Sequence, residues 1–376
     1  MSDAPAARLL SPLTFRNGRT APNRLWLAPL TNQSSHEDGR ISDDELAFLE
    51  ARAAGGFGII ESCATHVSLD GQGWTGELGL HSDALIPGWR RLAAAVHERG
   101  AILIGQAFHG GARALRGPDR PIPWSCSPSE PGEPEVRAAT EQDIERTIEA
   151  FAAGARRLQE AGADGVELHG AHGYLLCQFL SAAMNRREDR WGGSRQNRAR
   201  LLRRVMQATR AAVRDDFIVG VRLSPESSPG TPGLDLDESV QVARELCEDG
   251  ADFIHLSLWD VSRMTQKRPQ QHAATIFREA LPAAVPIITA GAIWTAAEAA
   301  GQLDRGADAV ALGRAAITNP DWPQRVLAEG CEPKRPPLTR GELSERAVGP
   351  TFTDYLSRWK GFVAEPGVSD SAASPA

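Results

Sequence analysis

Eight short runs rich in Val, Ile and Leu alternate with longer segments of helical periodicity, which predicts an α/β chain folded as a single (β/α)8 TIM barrel. Two further features point the same way. Small-residue turns recur as AGADG (161–165), EDGADF (248–253) and DRGADAV (304–310), each placing glycine where a helix must end in a left-handed cap before a parallel strand. No G-x-G-x-x-G turn follows the first run, as it usually does in an open dinucleotide-binding sheet.

The strands are expected at 24–28, 58–62, 101–106, 165–169, 218–223, 253–257, 287–290 and 309–312. Amphipathic stretches at 44–54, 84–99, 141–161, 198–213 and 236–248 supply helices between them. Ser42-Asp43-Asp44-Glu45 offers a cap and an acidic first turn, and Gly55–Gly58 stops that helix before the second strand. Ahead of the first strand, Asn17-Gly18 signals a short β-hairpin that would cap the barrel's bottom. Residues 110–139 and 170–194, after the third and fourth strands, are too long for simple links, and long loops there are usually functional. Residues 1–365 read as one barrel domain, and the Ala-, Ser-, Pro- and Gly-rich tail 366–376 as disordered.

Composition narrows the function. A net charge of -7 with mixed signs carries no basic stripe for nucleic acid. No apolar stretch approaches the roughly 18 residues that span a bilayer, and the N-terminus lacks a signal core, so the cytoplasm is the expected compartment. Five scattered cysteines form no CxxC pair, which argues against zinc and iron–sulfur sites.

Barrel enzymes build their sites from residues at the C-terminal ends of strands. Those positions hold Thr31, Ser62, Gln106, His169, Arg222, Gly291 and Gly313-Arg314, a polar ring suited to an aromatic, anionic ligand. The densest signal is DGVELHGAHGYLLCQFLSAAMNRREDRWGGSRQNRAR, 164–200, with His169, His172, Gly173 and Tyr174 at its strand end. Here the chain resembles the Old Yellow Enzyme family of FMN-dependent oxidoreductases. Further agreement lies in NRLWLAPLT (23–31), IGQAFHGGAR (104–113), VRLS (221–224) and LGR (312–314), so the resemblance covers roughly residues 8–330.

The resemblance implies an ene-reductase. Hydride would pass from NADPH or NADH through FMN to the β-carbon of an activated alkene, both partners using one pocket in turn. His169 and His172 would grip the carbonyl or nitro oxygen, stabilising the charge that hydride delivery creates. Tyr174 would protonate the α-carbon, and a phenol of pKa ~10 is protonated at neutral pH. Thr31 would bond the flavin carbonyl nearest the reactive edge. Ala28, Pro29, Leu30, Ser62, Gln106 and Arg222 would line the ring, with Gln106 pairing with the pyrimidine edge through donor and acceptor together. Ala290, Gly291, Gly313 and Arg314 would hold the phosphate. Shorter bacterial members often carry an aromatic residue two positions past Thr31. This chain has Gln33, assigned to the substrate pocket.

The residues alone leave alternatives open. His169 and His172 also read as backbone-bonded loop histidines, or as metal ligands of a barrel hydrolase or deaminase that need a third partner. A flavin-binding protein without turnover is the other rival. Trp124 reads equally as an aromatic lid or a surface anchor, and Cys63 as a buried packing residue. The expected partner is a small activated alkene. A homo-oligomer is left open, with Arg358 and Trp359 placed to reach a neighbour's pocket.

Overall fold

The structure, a computed structural model, describes residues 3–364; the tail assigned to 366–376 lies outside the described residues. The barrel strands are β1 (Leu25–Leu27), β2 (Ile59–His66), β3 (Ile102–Phe108), β4 (Gly165–Gly170), β5 (Ile218–Leu223), β6 (Phe253–Ser257), β7 (Ile287–Ala290) and β8 (Ala309–Leu312). All pair in parallel, and β8 closes on β1 through Val310 opposite Leu25. The main helix in each interval between consecutive strands is α1 (Asp43–Ala54), α2 (Ile86–Glu98), α3 (Glu141–Ala161), α4 (Arg195–Ala212), α5 (Leu236–Glu248), α6 (Ala273–Ala280) and α7 (Ala296–Asp304); a short α8 (Arg314–Thr318) follows β8.

Strand parity sorts the core into two layers. Leu25, Leu27, Leu103, Val166, Leu168, Val219, Val221, Ile254, Leu256, Val310 and Leu312 point outward into the helix-facing core. Trp26, Ile59, Ile102, Ile104, Ile218, Phe253, Ile288 and Ala309 point inward. The expected hairpin forms from Leu13–Thr14 and Thr20–Ala21, and Phe15 plugs the bottom, its ring 6.2 Å from Trp26 and 5.9 Å from Phe253. A helix at Asp3–Leu10, which the sequence did not announce, seats Leu9 in the outer core.

The Gly-Ala-Asp turns prove to be strand locks as well as helix caps. Gly162, Gly250 and Gly306 take φ of 91°, 104° and 99°, the left-handed region that glycine adopts without a Cβ penalty. The aspartate that follows accepts the N–H opening an adjacent strand. Asp164 takes Leu103 N at 2.9 Å, Asp252 takes Val219 N at 2.9 Å, and Asp308 takes Ile287 N at 2.8 Å.

His97 reaches the first of these locks, its Nε2 2.7 Å from Asp164. The hydrogen bond to Asp164 raises the imidazole's pKa above its ordinary value. The stabilisation it contributes is therefore complete below the unfolded pKa of about 6.5 and is lost as pH rises through the higher folded value. His97→Ala should lower the melting temperature at about pH 5.5 and cost little at about pH 8.5, at the edges of histidine's titration range. Equal losses at both pH values would refute the coupling.

Candidate active site

The inward residues nearest the C-terminal ends of the strands form the floor of a cleft. Its lining includes Pro29, Leu30, Thr31, Ala64, Trp74, Gln106, His169, His172, Tyr174, Arg222 and Arg314. Parity explains the floor: Gln106, His169, Arg222 and Ser257 each lie two residues beyond an inward neighbour in the same strand. In register, His169 pairs with Arg222.

Two hydrogen bonds fix the imidazoles. His169 Nδ1 accepts the N–H of Ala171 at 3.3 Å, which leaves Nε2–H free to donate. His172 holds a left-handed φ of 60°, its N–H bonded to Ser224 Oγ at 3.1 Å and its carbonyl to Arg113 at 2.8 Å. Its Nε2 lies 2.5 Å from Ser257 Oγ, and Ser257 Oγ accepts from Arg222 at 3.1 Å. Ser257 Oγ carries one O–H and two lone pairs, so it serves both neighbours; with its O–H donated to His172 Nε2, the Nδ1–H of His172 is the free donor. Burial, and then the charge of Arg222, lower both imidazoles, His169 to about 3 and His172 well below its ordinary value. Both are neutral donors at physiological pH.

Tyr174 precedes the short helix Leu175–Leu180 and stands edge-on to His169 at 5.2 Å and to Phe108 at 4.6 Å. Burial raises its phenol despite the opposing Arg113, so the phenol stays protonated. Arg222 is 6% exposed, and its Nε finds no hydrogen-bond partner among the described residues. A buried donor in this state calls for an acceptor within the cleft. Gln106 Nε2 donates to Glu167 Oε1 at 2.7 Å, which turns the amide oxygen away from the core. The pairing expected of Gln106 through donor and acceptor together stays available, because the carboxylate takes only one of the two amide hydrogens. An anionic heteroaromatic with an acceptor for Arg222, a donor for Gln106 and a phosphate for Arg314 fits these groups.

Several assignments move. β2 does not stop at Ser62 but runs to His66, and a bulge between Glu61 and Ala64 shifts its register against β3. Ser62 is fully buried, its Oγ bonded to Cys63 O and to Gln106 N at 3.1 Å, and Ala64 takes its place on the cleft wall. Gln33 is also not among the lining residues. Its backbone turns at φ 56° and its carbonyl packs against Gly76, where a Cβ would come within 2.3 Å. Trp74, from the loop after β2, provides an aromatic wall instead.

Ala28, Ala290, Gly291 and Gly313 are not among the lining residues either, although Ala290 pairs with Ala311 and so brings Gly291 beside the Leu312–Arg314 turn. Trp124 is neither lid nor surface anchor. It is 1% exposed, its indole N–H bonded to Asp70 at 2.9 Å, because the 110–139 loop folds back as a small strand pair. Cys63 is buried in the outer core, as its packing reading requires. Trp359 lines this chain's own cleft with Tyr355 and Phe352 of the C-terminal helix Pro350–Leu356 and its following turn. Ser257 was reachable from the rule used for its neighbours, being the last residue of the sixth strand. The C-terminal wall carried no such signal.

The chain matches the sequence model of the family described as NADH:flavin oxidoreductase / NADH oxidase over residues 8–331. The probable NADH-dependent flavin oxidoreductase YqiG of Bacillus subtilis (strain 168) is 36% identical over 349 residues, 90% of this chain and 92% of its own. The NADH:fumarate oxidoreductase of Klebsiella pneumoniae (strain 342) is 35% identical over 335 residues, 85% of this chain but 36% of that longer protein. Among solved structures, the old yellow enzyme homologue from Zymomonas mobilis aligns with a TM-score of 0.80 at 29% identity, covering 92% of this chain and 99% of that one.

Proposed function

The chain belongs to the NADH:flavin oxidoreductase / NADH oxidase family, and on that footing we propose that it is an ene-reductase acting on α,β-unsaturated carbonyl or nitro compounds. It is an oxidoreductase whose cofactors are FMN and a nicotinamide, NADH or NADPH. Reduction of an activated C=C bond also agrees with the fumarate named for one relative.

The observation that carries the reading is the convergence of His169, His172 and Tyr174 on a cleft whose floor holds Arg222, its guanidinium Nε without a partner among the described residues. Bound across this cleft, FMN would supply the redox chemistry that links NAD(P)H to the β-carbon of the alkene. Arg222 Nε and Gln106 Oε1 would meet its pyrimidine edge, with the Thr31 hydroxyl nearby. Ala28, Pro29, Leu30 and Ala64 would pack around the ring. Arg314, with the Gly291 and Gly313 backbones, would hold the phosphate.

The free N–H groups of His169 and His172 donate to the substrate oxygen and stabilise the negative charge that develops there. Tyr174 delivers its phenolic proton to the α-carbon and regains one from solvent. Trp74, Tyr355 and Trp359 enclose the apolar body of the substrate and limit its bulk.

Anaerobic mixing tests the whole. NAD(P)H should bleach the visible band of the purified protein, and activated alkenes should restore it with release of the saturated product. Restoration by oxygen but by no alkene would overturn the assignment. A colourless protein inactivated by chelators would instead favour the metal hydrolase. The three candidate metal ligands that the described residues bring together are Glu61, Glu167 and His255, a set without His169 or His172.

A further inference from the structure

One layer below the cleft floor, parity turns Glu61, Glu167 and His255 into the barrel, where each is at most 1% exposed. Their oxygen and nitrogen atoms approach within 4.8 Å of one another. The three are not equivalent. Glu167 is fully bonded: Oε1 accepts from Gln106 at 2.7 Å, and Oε2 lies 2.7 Å from His255 Nδ1. Both Glu61 oxygens lack a hydrogen-bond partner among the described residues. Two buried carboxyl groups this close cannot both ionise. The charge therefore rests on the partnered one. Burial, and then Glu167, push Glu61 well above the usual carboxylate range, whereas His255 and Arg222 overcome burial and hold Glu167 below it. Burial lowers His255 in turn, so the geometry of its Nδ1 on Glu167 carries this contact rather than a full imidazolium charge.

We infer that Glu167 is a positioning residue for the cofactor face: its carboxylate holds the Gln106 amide with the oxygen turned to the cleft and offsets part of the Arg222 charge, so that it restrains the reduction potential of bound flavin. The inference rests on the reading that FMN occupies the cleft. A neutral amide at position 167 can donate or accept, so Gln106 loses its obligatory orientation. The buried negative charge one layer below Arg222, whose register partner His169 lies two residues beyond Glu167, is then lost. Both changes act on the groups that meet the pyrimidine edge, and the second favours the more negative, reduced cofactor.

The test compares flavin midpoint potentials of the wild type, Glu167→Gln and Glu61→Gln. Glu167→Gln should favour the reduced state at least tenfold, about 30 mV for a two-electron couple. Glu61→Gln, which replaces a neutral acid by a neutral amide of the same shape, should leave the potential in place. Equal shifts in both variants, or none in Glu167→Gln, would overturn the inference while leaving the flavin assignment intact. A wild type that retains no FMN would remove the assignment itself. If Glu167→Gln does not fold, difference infrared spectra of Glu61→Gln, with carbon-13-labelled glutamate, decide the matter: flavin reduction must perturb an ionised carboxylate, and a silent spectrum refutes the coupling.

Discussion

Tyr174→Phe should slow the reoxidation of reduced enzyme by activated alkenes by about 10²–10⁴-fold, the range for loss of a positioned general acid. The reduction of the enzyme by NAD(P)H should be unchanged. In the proposed mechanism the phenol supplies the proton, and burial keeps it protonated through neutral pH. Removing its oxygen leaves the ring contacts with Phe108 and His169 in place. Stopped-flow measurement of the two half-reactions separates the steps. Equal slowing of both would show that the substitution disturbs the cleft, and an undiminished alkene rate would remove Tyr174 from the chemistry.

The imidazole pair should come second. His169→Ala or His172→Ala is expected to lower the alkene rate by about 10²–10³-fold, the usual loss for one donor to a developing oxyanion. Each should also weaken any visible spectral change that an oxygen-bearing ligand induces in the flavin-loaded protein. The double variant should lose little more than either single one, because in the proposed mechanism both donors serve one oxygen and act as a unit. Since burial and Arg222 hold His169 near 3, neither imidazole should titrate between about pH 5 and about pH 8, the range of an ordinary histidine. A histidine-like step in the alkene rate there, lost in either variant, would contradict the neutral-donor account.

Local signals carried the barrel. β-Branched runs, helix caps and the Gly-Ala-Asp turns are all properties of neighbouring residues, and all eight strands lie close to where those signals put them. The structure departs from the expected placements where position depends on contacts distant in sequence. Ser62 closes an apolar run, yet β2 continues through Ser, Cys and Thr because its partner β3 also extends, to Phe108. Gln33 follows Thr31 by two residues, but the intervening Asn32 is anchored to Glu45 of α1 and the chain turns toward Gly76. The buried layer of Glu61, Glu167 and His255 was written in the alternation of β2, β4 and β6, and only barrel closure brings those strands' side chains together. The wall of Phe352, Tyr355 and Trp359 has no local pattern that assigns it to the cleft.

The roles given to Gln106, Arg222, His169, His172 and Tyr174 all presuppose that FMN lies across the mouth of the barrel. Titration of flavin-free protein with FMN, followed by flavin fluorescence and then gel filtration, tests that most directly. The account predicts stoichiometric quenching and a yellow protein that keeps its cofactor through the column. Folded protein that leaves FMN fluorescence unquenched and elutes colourless would contradict it.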